Sequence, residues 1–300
     1  MCIACALAPA LSAESTLPTS PGPLELPSGP IGGSLAWTGV AGAVLELDGV
    51  RLAFDPFVSR PPLLEVLFAA PLVDGALVAR HFGGVDAVFV GHTHYDHAMD
   101  LPAVVAASPR TRIHGSATTV ELARRLGIPD ANLVEVEDGE RYTVGKTSVE
   151  AVRIEHGKVP LARHVDRIHL AKKGVPSTPF RYPRGEVFAF RIEGGGTSWY
   201  VQGSAGIDDQ ALRRQRPVDV LLACLAARHG TSRYLERLGE RLRPRVLMPI
   251  HHDDLFRPLS EPAKAVPGLG WSAFLRDAEA LAERYGTTLF CPPRGERVGV

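Results

Sequence analysis

Four potential metal ligands occupy six consecutive positions in the stretch VGHTHYDHAMD, which runs from Val90 to Asp100. They are His92, His94, Asp96 and His97. Imidazole nitrogen and carboxylate oxygen are the donors that zinc and similar divalent ions favour. Packing does not account for such a cluster, because a buried imidazole or carboxylate needs polar partners. The chain must therefore fold so that one metal, or two neighbouring metals, can lie beside this stretch.

The segment before the cluster indicates how its side chains are presented. The apolar run from Val85 to Val90 predicts a buried strand that ends where the cluster begins. In an extended backbone, side chains two residues apart point the same way. On that geometry His92, His94 and Asp96 converge, while His97 points elsewhere.

Apolar periodicity predicts strands and helices along most of the chain. Asp48-Gly49 predicts a hairpin turn between two strand-like runs, and the segment from Trp271 to Tyr285 has helical spacing, with Gly286 as its C-terminal cap. Further helices are predicted at 100–107 and 116–126, and further strands at 147–154, 187–192, 198–202, 218–222 and 245–250. This order predicts an α/β fold in which two sheets pack together with helices outside.

The composition divides the chain into a leader, a linker and one folded domain. Residues 15–33 are dense in Pro, Gly and Ser and predict an extended linker rather than a packed element. The folded part, 34–300, is expected to be a single domain with halves at about 34–160 and 186–300. A long loop at 162–185, rich in Lys, Arg, Pro and Gly, joins the halves and is typical of a binding or lid segment.

The first residues are typical of a targeting segment. A short apolar run ends in LSA, an A-x-A-like cleavage site after Ala13, which predicts an exported protein. One alternative is that Cys5 is a lipoprotein cysteine. The other is a flexible N-terminus on a cytoplasmic protein. The C-x-x-C spacing of Cys2 and Cys5 has no second Cys or His pair nearby, so we expect no metal or redox role there. Cys224, in an apolar run, predicts a buried small hydrophobe. No apolar run is long enough to predict a membrane span.

The net charge argues against nucleic acid as a partner. The chain has 33 basic and 33 acidic side chains, a formal net charge of zero, so it lacks the basic field that nucleic-acid binding usually needs. The expected partner is a small-molecule or lipid-like substrate, and the sequence leaves the oligomeric state open.

The stretch HTHYDH resembles the H-x-H-x-D-H signature of the metallo-β-lactamase superfamily. The resemblance extends from about Ser34 to Cys291 and includes FDPF before the motif, RIEHGKV after one strand and MPIHHDD after a late strand. It is closest in look to the branch of the ascorbate-phosphate lactonases and the phospholipases D that cleave N-acyl phosphatidylethanolamine. The resemblance implies a four-layer αββα sandwich with metals along one edge between the sheets.

The resemblance also implies a ligand set. His92, His94 and His156 would hold the first metal, and Asp96, His97 and His251 the second. Zinc is the expected ion, with manganese or iron as alternatives. His252 competes with its neighbour for the last place, and His251 is preferred because it follows a Pro and one apolar residue.

Several nearby residues are assigned supporting roles. Asp253 is expected to cap a loop or to orient a ligand histidine, and Asp55 either to do the same or to form a turn before Pro56. The family usually carries a bridging Asp where this chain has Ser204, which leaves Ser204 as a weak ligand or pocket residue. Asp208 and Asp209 are expected instead to begin a helix.

The remaining histidines are interpreted singly. His229 follows a predicted strand and is a candidate for lining the pocket. His164 and His169 belong to the long loop and are expected to be solvated. His81 and His114 fit ordinary helix-end and strand positions.

Two functions follow. The first is a metal-dependent hydrolase, in which Asp96 orients the attacking water and acts as catalytic base on an ester, lactone or phosphodiester; an apolar pocket under the 162–185 loop would indicate a lipid-like substrate. The alternative is a degenerate member that binds metal or ligand without turnover, because Ser204 replaces the bridging carboxylate.

Overall fold

The computed structural model describes residues 19–20, 24, 33–158, 174–266 and 268–300. The predicted leader, the Cys2 and Cys5 pair, His164, His169 and the first part of the 162–185 loop therefore lie outside the described residues. Among the helices in the described ranges, none is both long and apolar enough to cross a bilayer.

The described strands form two seven-stranded sheets. The strands are β1 (Ser34–Gly39), β2 (Gly42–Leu47), β3 (Val50–Phe54), β4 (Ala87–Phe89), β5 (Arg112–Gly115), β6 (Leu133–Glu135), β7 (Arg141–Val144), β8 (Thr147–Ile154), β9 (Val187–Gly194), β10 (Thr197–Gln202), β11 (Val220–Cys224), β12 (Val246–Ile250), β13 (Thr288–Leu289) and β14 (Arg297–Gly299). One sheet has the order β14-β1-β2-β3-β4-β5-β6, and the other β13-β12-β11-β10-β9-β8-β7. The chain thus changes sheet between β6 and β7, and its last strand returns to the first sheet.

Helices lie between many of these strands. They are α1 (Leu63–Phe68), α2 (Gly75–Phe82), α3 (Tyr95–Ala98), α4 (Leu101–Ala107), α5 (Ala117–Arg125), α6 (Asp209–Arg214), α7 (Tyr234–Leu242) and α8 (Trp271–Tyr285). The prediction of α8 is confirmed, including its cap, since Gly286 has a φ of +71°. The predicted helix start at Asp208 is also confirmed, because its carboxylate accepts the backbone N–H groups of Gln210 and Ala211.

The side chains of single strands divide between two hydrophobic clusters. In β10, Trp199 and Val201 belong to the cluster between the sheets, whereas Tyr200 belongs to the cluster under the helices. The same alternation separates Val220 and Leu222 from Leu221 in β11. Because successive side chains of a strand point to opposite faces, each sheet is buried on both sides. The layers are therefore helix, sheet, sheet and helix, which confirms the predicted αββα sandwich.

The strands before the motif differ from the prediction in one respect. The hairpin turn at Asp48-Gly49 is confirmed, but the first of the two expected runs is itself folded into β1 and β2. The extra turn is at Val40, whose φ is +51°. The carbonyl oxygen of Val40 in this turn accepts the N–H of His251, one of the predicted metal ligands.

Two described residues of the predicted linker contact the domain. Leu24 is buried and donates its N–H to the carbonyl of Gly299, and the backbone N–H of Ser20 donates to the carbonyl of Cys291. The expectation of an unpacked segment does not hold at these positions, because the side chain of Leu24 joins the cluster between the sheets.

His114 is in β5, as its position in the sequence predicted, and its ring is buried. It stacks on Phe89 at a centroid distance of 4.5 Å. Burial lowers the pKa of His114 from the usual 6.5 to about 4. The folded protein therefore holds this ring neutral where the unfolded chain protonates it.

Replacing His114 by Phe is expected to make the protein less sensitive to acid. Between pH 6.5 and 4 the unfolded chain binds a proton that the folded chain excludes, so this histidine lowers the free energy of unfolding as the pH falls. The contribution reaches about 3 kcal/mol near pH 4. Urea unfolding at pH 7 and pH 4 measures it. The free energy of unfolding should fall less between pH 7 and pH 4 in the variant than in the wild type, by about 3 kcal/mol. An equal fall in both proteins would contradict the assignment.

Candidate metal centre

The predicted metal ligands follow strands that end at one edge of the sandwich. β3 and β4 are parallel neighbours in the first sheet. In the second sheet, β10, β11 and β12 are parallel, and β8 has the same direction because it is antiparallel to β9, which is antiparallel to β10. The segments after β3, β4, β8, β10 and β12 supply the residues described below. Carboxyl ends of parallel strands are a common place for ligand sites.

The HTHYDH stretch leaves β4 as a short loop and then turns into α3. His92 and His94 are in the loop, and His94 is the residue before the first turn of the helix. Asp96 and His97 are in α3, and all four side chains are buried. The expectation that His97 points away was wrong, because the backbone becomes helical at Tyr95 and the two-residue alternation of a strand no longer applies.

His92, His94 and His156 form the first group of candidate ligands. The Nε2 atom of His92 lies 3.0 Å from the Nδ1 atom of His94. The ring of His156, which follows β8, has its centroid 4.9 Å from that of His92 and 4.8 Å from that of His94. One potential ligand atom from each residue lies within 4.8 Å of the others. The structure thus brings together the three residues of the first predicted site.

Asp96, His97 and His251 form the second group. One potential ligand atom from each of them also lies within 4.8 Å of the others. The Oδ2 atom of Asp96 lies 3.3 Å from Nε2 of His251 and 3.8 Å from Nε2 of His97. The two groups are adjacent, since the ring centroids of His92 and His97 are 3.8 Å apart. This geometry suits two neighbouring ions, and the ligand roles themselves remain predictions.

Burial fixes the protonation state of the histidines. It lowers the pKa of His156 to about 3 and that of His251 to about 4, and it holds the pKa values of His92 and His94 well below 6.5. At neutral pH these imidazoles are therefore neutral and each has a lone pair. The Nε2 atoms of His94 and His97 are buried without a hydrogen-bond partner. Neutral imidazoles with a buried carboxylate are a donor set that fits a divalent ion.

Asp55 lies directly behind the second group. Its Oδ2 atom is 3.0 Å from Nδ1 of His97, and its Oδ1 atom accepts the N–H of Gly91 at 2.6 Å. A carboxylate on the remote nitrogen of a histidine fixes the orientation and tautomer of the ring. Of the two roles considered for Asp55, the structure favours the one that orients a ligand.

Asp253 has other partners than a ligand histidine. Its Oδ1 atom accepts the N–H of Val40 at 2.7 Å, and its Oδ2 atom lies 2.6 Å from Arg60 and 3.1 Å from Arg294. Of the two roles considered for Asp253, these contacts favour capping a loop over a direct contact with the ring of a candidate ligand histidine. Val40 also accepts the N–H of His251 at 2.6 Å, so Asp253 fixes the turn that holds the backbone of His251.

His252 and His229 lie outside both groups. His252 stacks on Trp37 at a centroid distance of 4.5 Å. Of the two neighbouring histidines, it is therefore His251 that belongs to the second group. His229 is exposed, and its Nε2 atom is 3.1 Å from the carbonyl oxygen of Leu269. The expectation that His229 lines the pocket is not met, because it contributes to neither of the cavities described next.

Ser204 faces a small cavity at the junction of the two groups. The volume of this cavity is about 10 Å³, which is close to the minimum that holds one water molecule. The lining residues are His92, His97, His156, Gly157, Gly203, Ser204, Cys224, Ala226, Ala227 and His251. The Ser204 hydroxyl accepts the N–H of Gly157 at 3.1 Å. Ser204 is thus a pocket residue as predicted, and the buried Cys224 also lines the cavity.

A larger cleft of about 710 Å³ opens beside the first group and shares His156 with the small cavity. Its lining is Thr118, Arg153, Ile154, Glu155, His156, Lys158, Arg184, Gly185, Glu186, Val187 and Asp208. Most of these side chains are polar or charged. An apolar pocket would indicate a lipid-like substrate, and the described part of the chain shows a polar cleft instead.

Three buried or half-buried residues at this edge were missed by sequence reasoning. Arg60 and Arg294 contact Asp253 from distant parts of the chain. Arg184 lines the cleft. No local pattern distinguishes these arginines from exposed ones, and a single sequence gives no signal of their partners.

The sequence matches one family model and is similar to proteins of other organisms. A family model described as the β-lactamase superfamily domain matches residues 51–252. An uncharacterised protein of Mycobacterium tuberculosis is 30% identical over 153 residues, which are 48% of this chain and 40% of that protein. The match thus spans less than half the length of this relative. A metal-dependent hydrolase of Carboxydothermus hydrogenoformans is 24% identical over 223 residues, covering 73% of this chain and 84% of the relative.

Solved structures share the fold. A metallo hydrolase from the archaeon Ignicoccus hospitalis superposes with a TM-score of 0.57 over 89% of this chain and 98% of its own, at 17% identity. At this identity the likeness concerns the arrangement of sheets and helices.

Proposed function

The chain belongs to the β-lactamase superfamily, in its metallo-β-lactamase fold, and from this premise we propose that it is a metal-dependent hydrolase. The observation that carries the proposal is the pair of adjacent three-residue groups, His92, His94 and His156 beside Asp96, His97 and His251. Such a donor set holds one or two divalent ions, with zinc favoured by the imidazole-rich first group. The hydrolase name of the Carboxydothermus relative supports the same reaction class.

The chemistry divides between the ion and the protein. A divalent ion in such a site lowers the pKa of water towards neutrality and polarises the bond under attack. Asp96 lies inside the centre, with its Oδ2 atom 3.3 Å from Nε2 of His251. There its carboxylate can accept a hydrogen bond from the attacking water and take up the proton as general base.

The cleft supports a small polar substrate rather than a lipid. Its described lining is mostly polar or charged, and burying these side chains under acyl chains would cost free energy through lost hydration. We propose an ester, lactone or phosphodiester as the scissile bond, because all three present a carbonyl or phosphoryl oxygen to the ion.

The test is turnover that follows metal content. The purified protein is assayed against esters, lactones and phosphodiesters. Each assay is done on the protein as isolated, after a chelator has removed its metal, and after zinc, manganese or iron has been restored. We expect hydrolysis of at least one class to disappear with the metal and to return with it. Bound metal without turnover of any class would refute the hydrolase proposal.

That negative result would favour a second candidate, a non-catalytic metal-binding protein. Ser204 is the observation behind it, since its hydroxyl faces the cavity between the two groups and is engaged by Gly157. A hydroxyl adds no negative charge there.

Replacing Ser204 by Asp is expected to tighten binding of a second ion at least about tenfold. Two dications roughly 4 Å apart repel each other strongly unless anionic groups lie between them, and residue 204 lines the cavity shared by both groups. Calorimetric zinc titration measures the change. Ser204→Asn is the matched control, being similar in size without the charge; equal affinities in Asp, Asn and wild-type proteins would contradict the prediction.

A further inference from the structure

The charged side chains of the cleft are not equally paired. Asp208 caps α6 through the N–H groups of Gln210 and Ala211, and Glu186 accepts the hydroxyl of Thr118 at 3.2 Å. Glu155 lies 3.8 Å from the ammonium of Lys158. Each acidic group of the cleft therefore already has a partner.

The guanidinium of Arg184 has no carboxylate partner among the described residues. Its Nε donates to the carbonyl oxygen of Gly185 at 3.3 Å, and no ion pair joins it to another residue that the structure describes. Arg184 is half-buried and lines the same cleft as His156.

The backbone of Arg184 is fixed to the metal-binding stretch. The carbonyl oxygen of Arg184 accepts the N–H of Thr93 at 2.9 Å and its hydroxyl at 3.0 Å. Thr93 is fully buried between His92 and His94. The starting point of this side chain is therefore set by the same loop that positions the first ligand group.

We propose that Arg184 binds an anionic group of the substrate, a carboxylate or a phosphate, and thereby places the scissile bond at the metal centre. A guanidinium presents a planar fork of donors that matches both oxyanions. In a cleft whose carboxylates are already engaged, Arg184 is the half-buried guanidinium, whereas Arg153 is exposed and lies over the ring of Phe188. This inference rests on the proposed function and narrows its substrate to esters, lactones or phosphodiesters that carry a separate anionic group.

The experiment measures anion binding by the metal-loaded full-length protein. Inorganic phosphate and benzoate are titrated calorimetrically into the wild type, Arg184→Gln and Arg184→Lys. Loss of charge-assisted hydrogen bonds is expected to weaken binding of at least one anion about tenfold or more in Arg184→Gln. Arg184→Lys keeps the charge but not the planar fork of donors, so its affinity for the anion should lie between those of the wild type and Arg184→Gln. The anion that loses more affinity identifies the carboxylate or the phosphate class.

Arg181→Gln is the matched control, because Arg181 is an exposed arginine three residues away and is not part of the cleft. It should bind both anions as the wild type does. Equal affinities in the wild type and both Arg184 variants, or no binding of either anion by the wild type, would overturn the inference. Turnover of uncharged esters with unchanged anion binding in the variants would refute this inference alone. Arg184-dependent binding without any turnover would instead count against the hydrolase.

Discussion

Replacing His92 and His94 together by Ala is expected to empty the first ligand group and to abolish hydrolysis. The Nε2 atom of His92 and the Nδ1 atom of His94 are 3.0 Å apart, so both imidazoles converge on one position, and His156 alone cannot hold an ion there. An ion that polarises the bond and supplies hydroxide contributes several kcal/mol to catalysis. We therefore expect kcat/KM to fall at least about a thousandfold, and bound metal to fall by at least one equivalent.

Elemental analysis and steady-state kinetics on the same preparations measure both effects. His81→Ala is the control, since His81 is a partly exposed histidine in the last turn of α2, away from both groups. It should retain the metal and activity of the wild type. Unchanged metal content in the double variant would show that the ion binds elsewhere.

Replacing Asp253 by Asn is expected to destabilise the protein by about 3–5 kcal/mol and to weaken the second ligand group. The carboxylate and its partner Arg60 are fully buried, and Arg294 is nearly so. Burial alone would raise the pKa of Asp253, but the charge of Arg60 holds it well below its usual value, so the group is ionised at neutral pH. Removing its charge leaves two buried guanidiniums unpaired, which typically costs that amount.

The second effect follows from the turn at Val40. Asp253 accepts the N–H of Val40, and Val40 accepts the N–H of His251, whose φ is +54°. Such a backbone conformation is uncommon for a residue other than Gly and depends on surrounding contacts. We expect zinc affinity at the Asp96, His97 and His251 group to fall more than at the first group.

Chemical denaturation and zinc titration test the two effects separately. Asp254→Asn is the neighbouring control, because its carboxylate accepts only the N–H of Phe256 in the described structure; it should change stability by less than about 1 kcal/mol. A similarly small change in Asp253→Asn would show that the buried ion pairs do not stabilise this edge.

Local sequence patterns predicted most of the secondary structure. The strand at 147–154 and the helix from Trp271 to Tyr285 agree with β8 and α8, because apolar spacing, and for the helix the Gly286 cap, act within one element. The turn at Val40 was missed, since Val is a poor indicator of a positive φ and long-range contacts hold it there.

The candidate site was predictable where its residues are contiguous or follow strands. His92 to His97 form a motif, and His156 and His251 follow β8 and β12. The direction of His97 was mispredicted because the loop turns into α3. Arg60 and Asp253 are 193 positions apart in the chain, so the ion pair that supports His251 is a property of the tertiary fold.

The most direct measurement is anomalous X-ray diffraction at the zinc absorption edge from crystals of the zinc-loaded protein. A strong peak is predicted among the facing ring nitrogens of His92, His94 and His156, and a second, of equal or lower occupancy, beside Asp96, His97 and His251. The absence of a peak at the first group, or zinc bound only at other residues, would contradict the account.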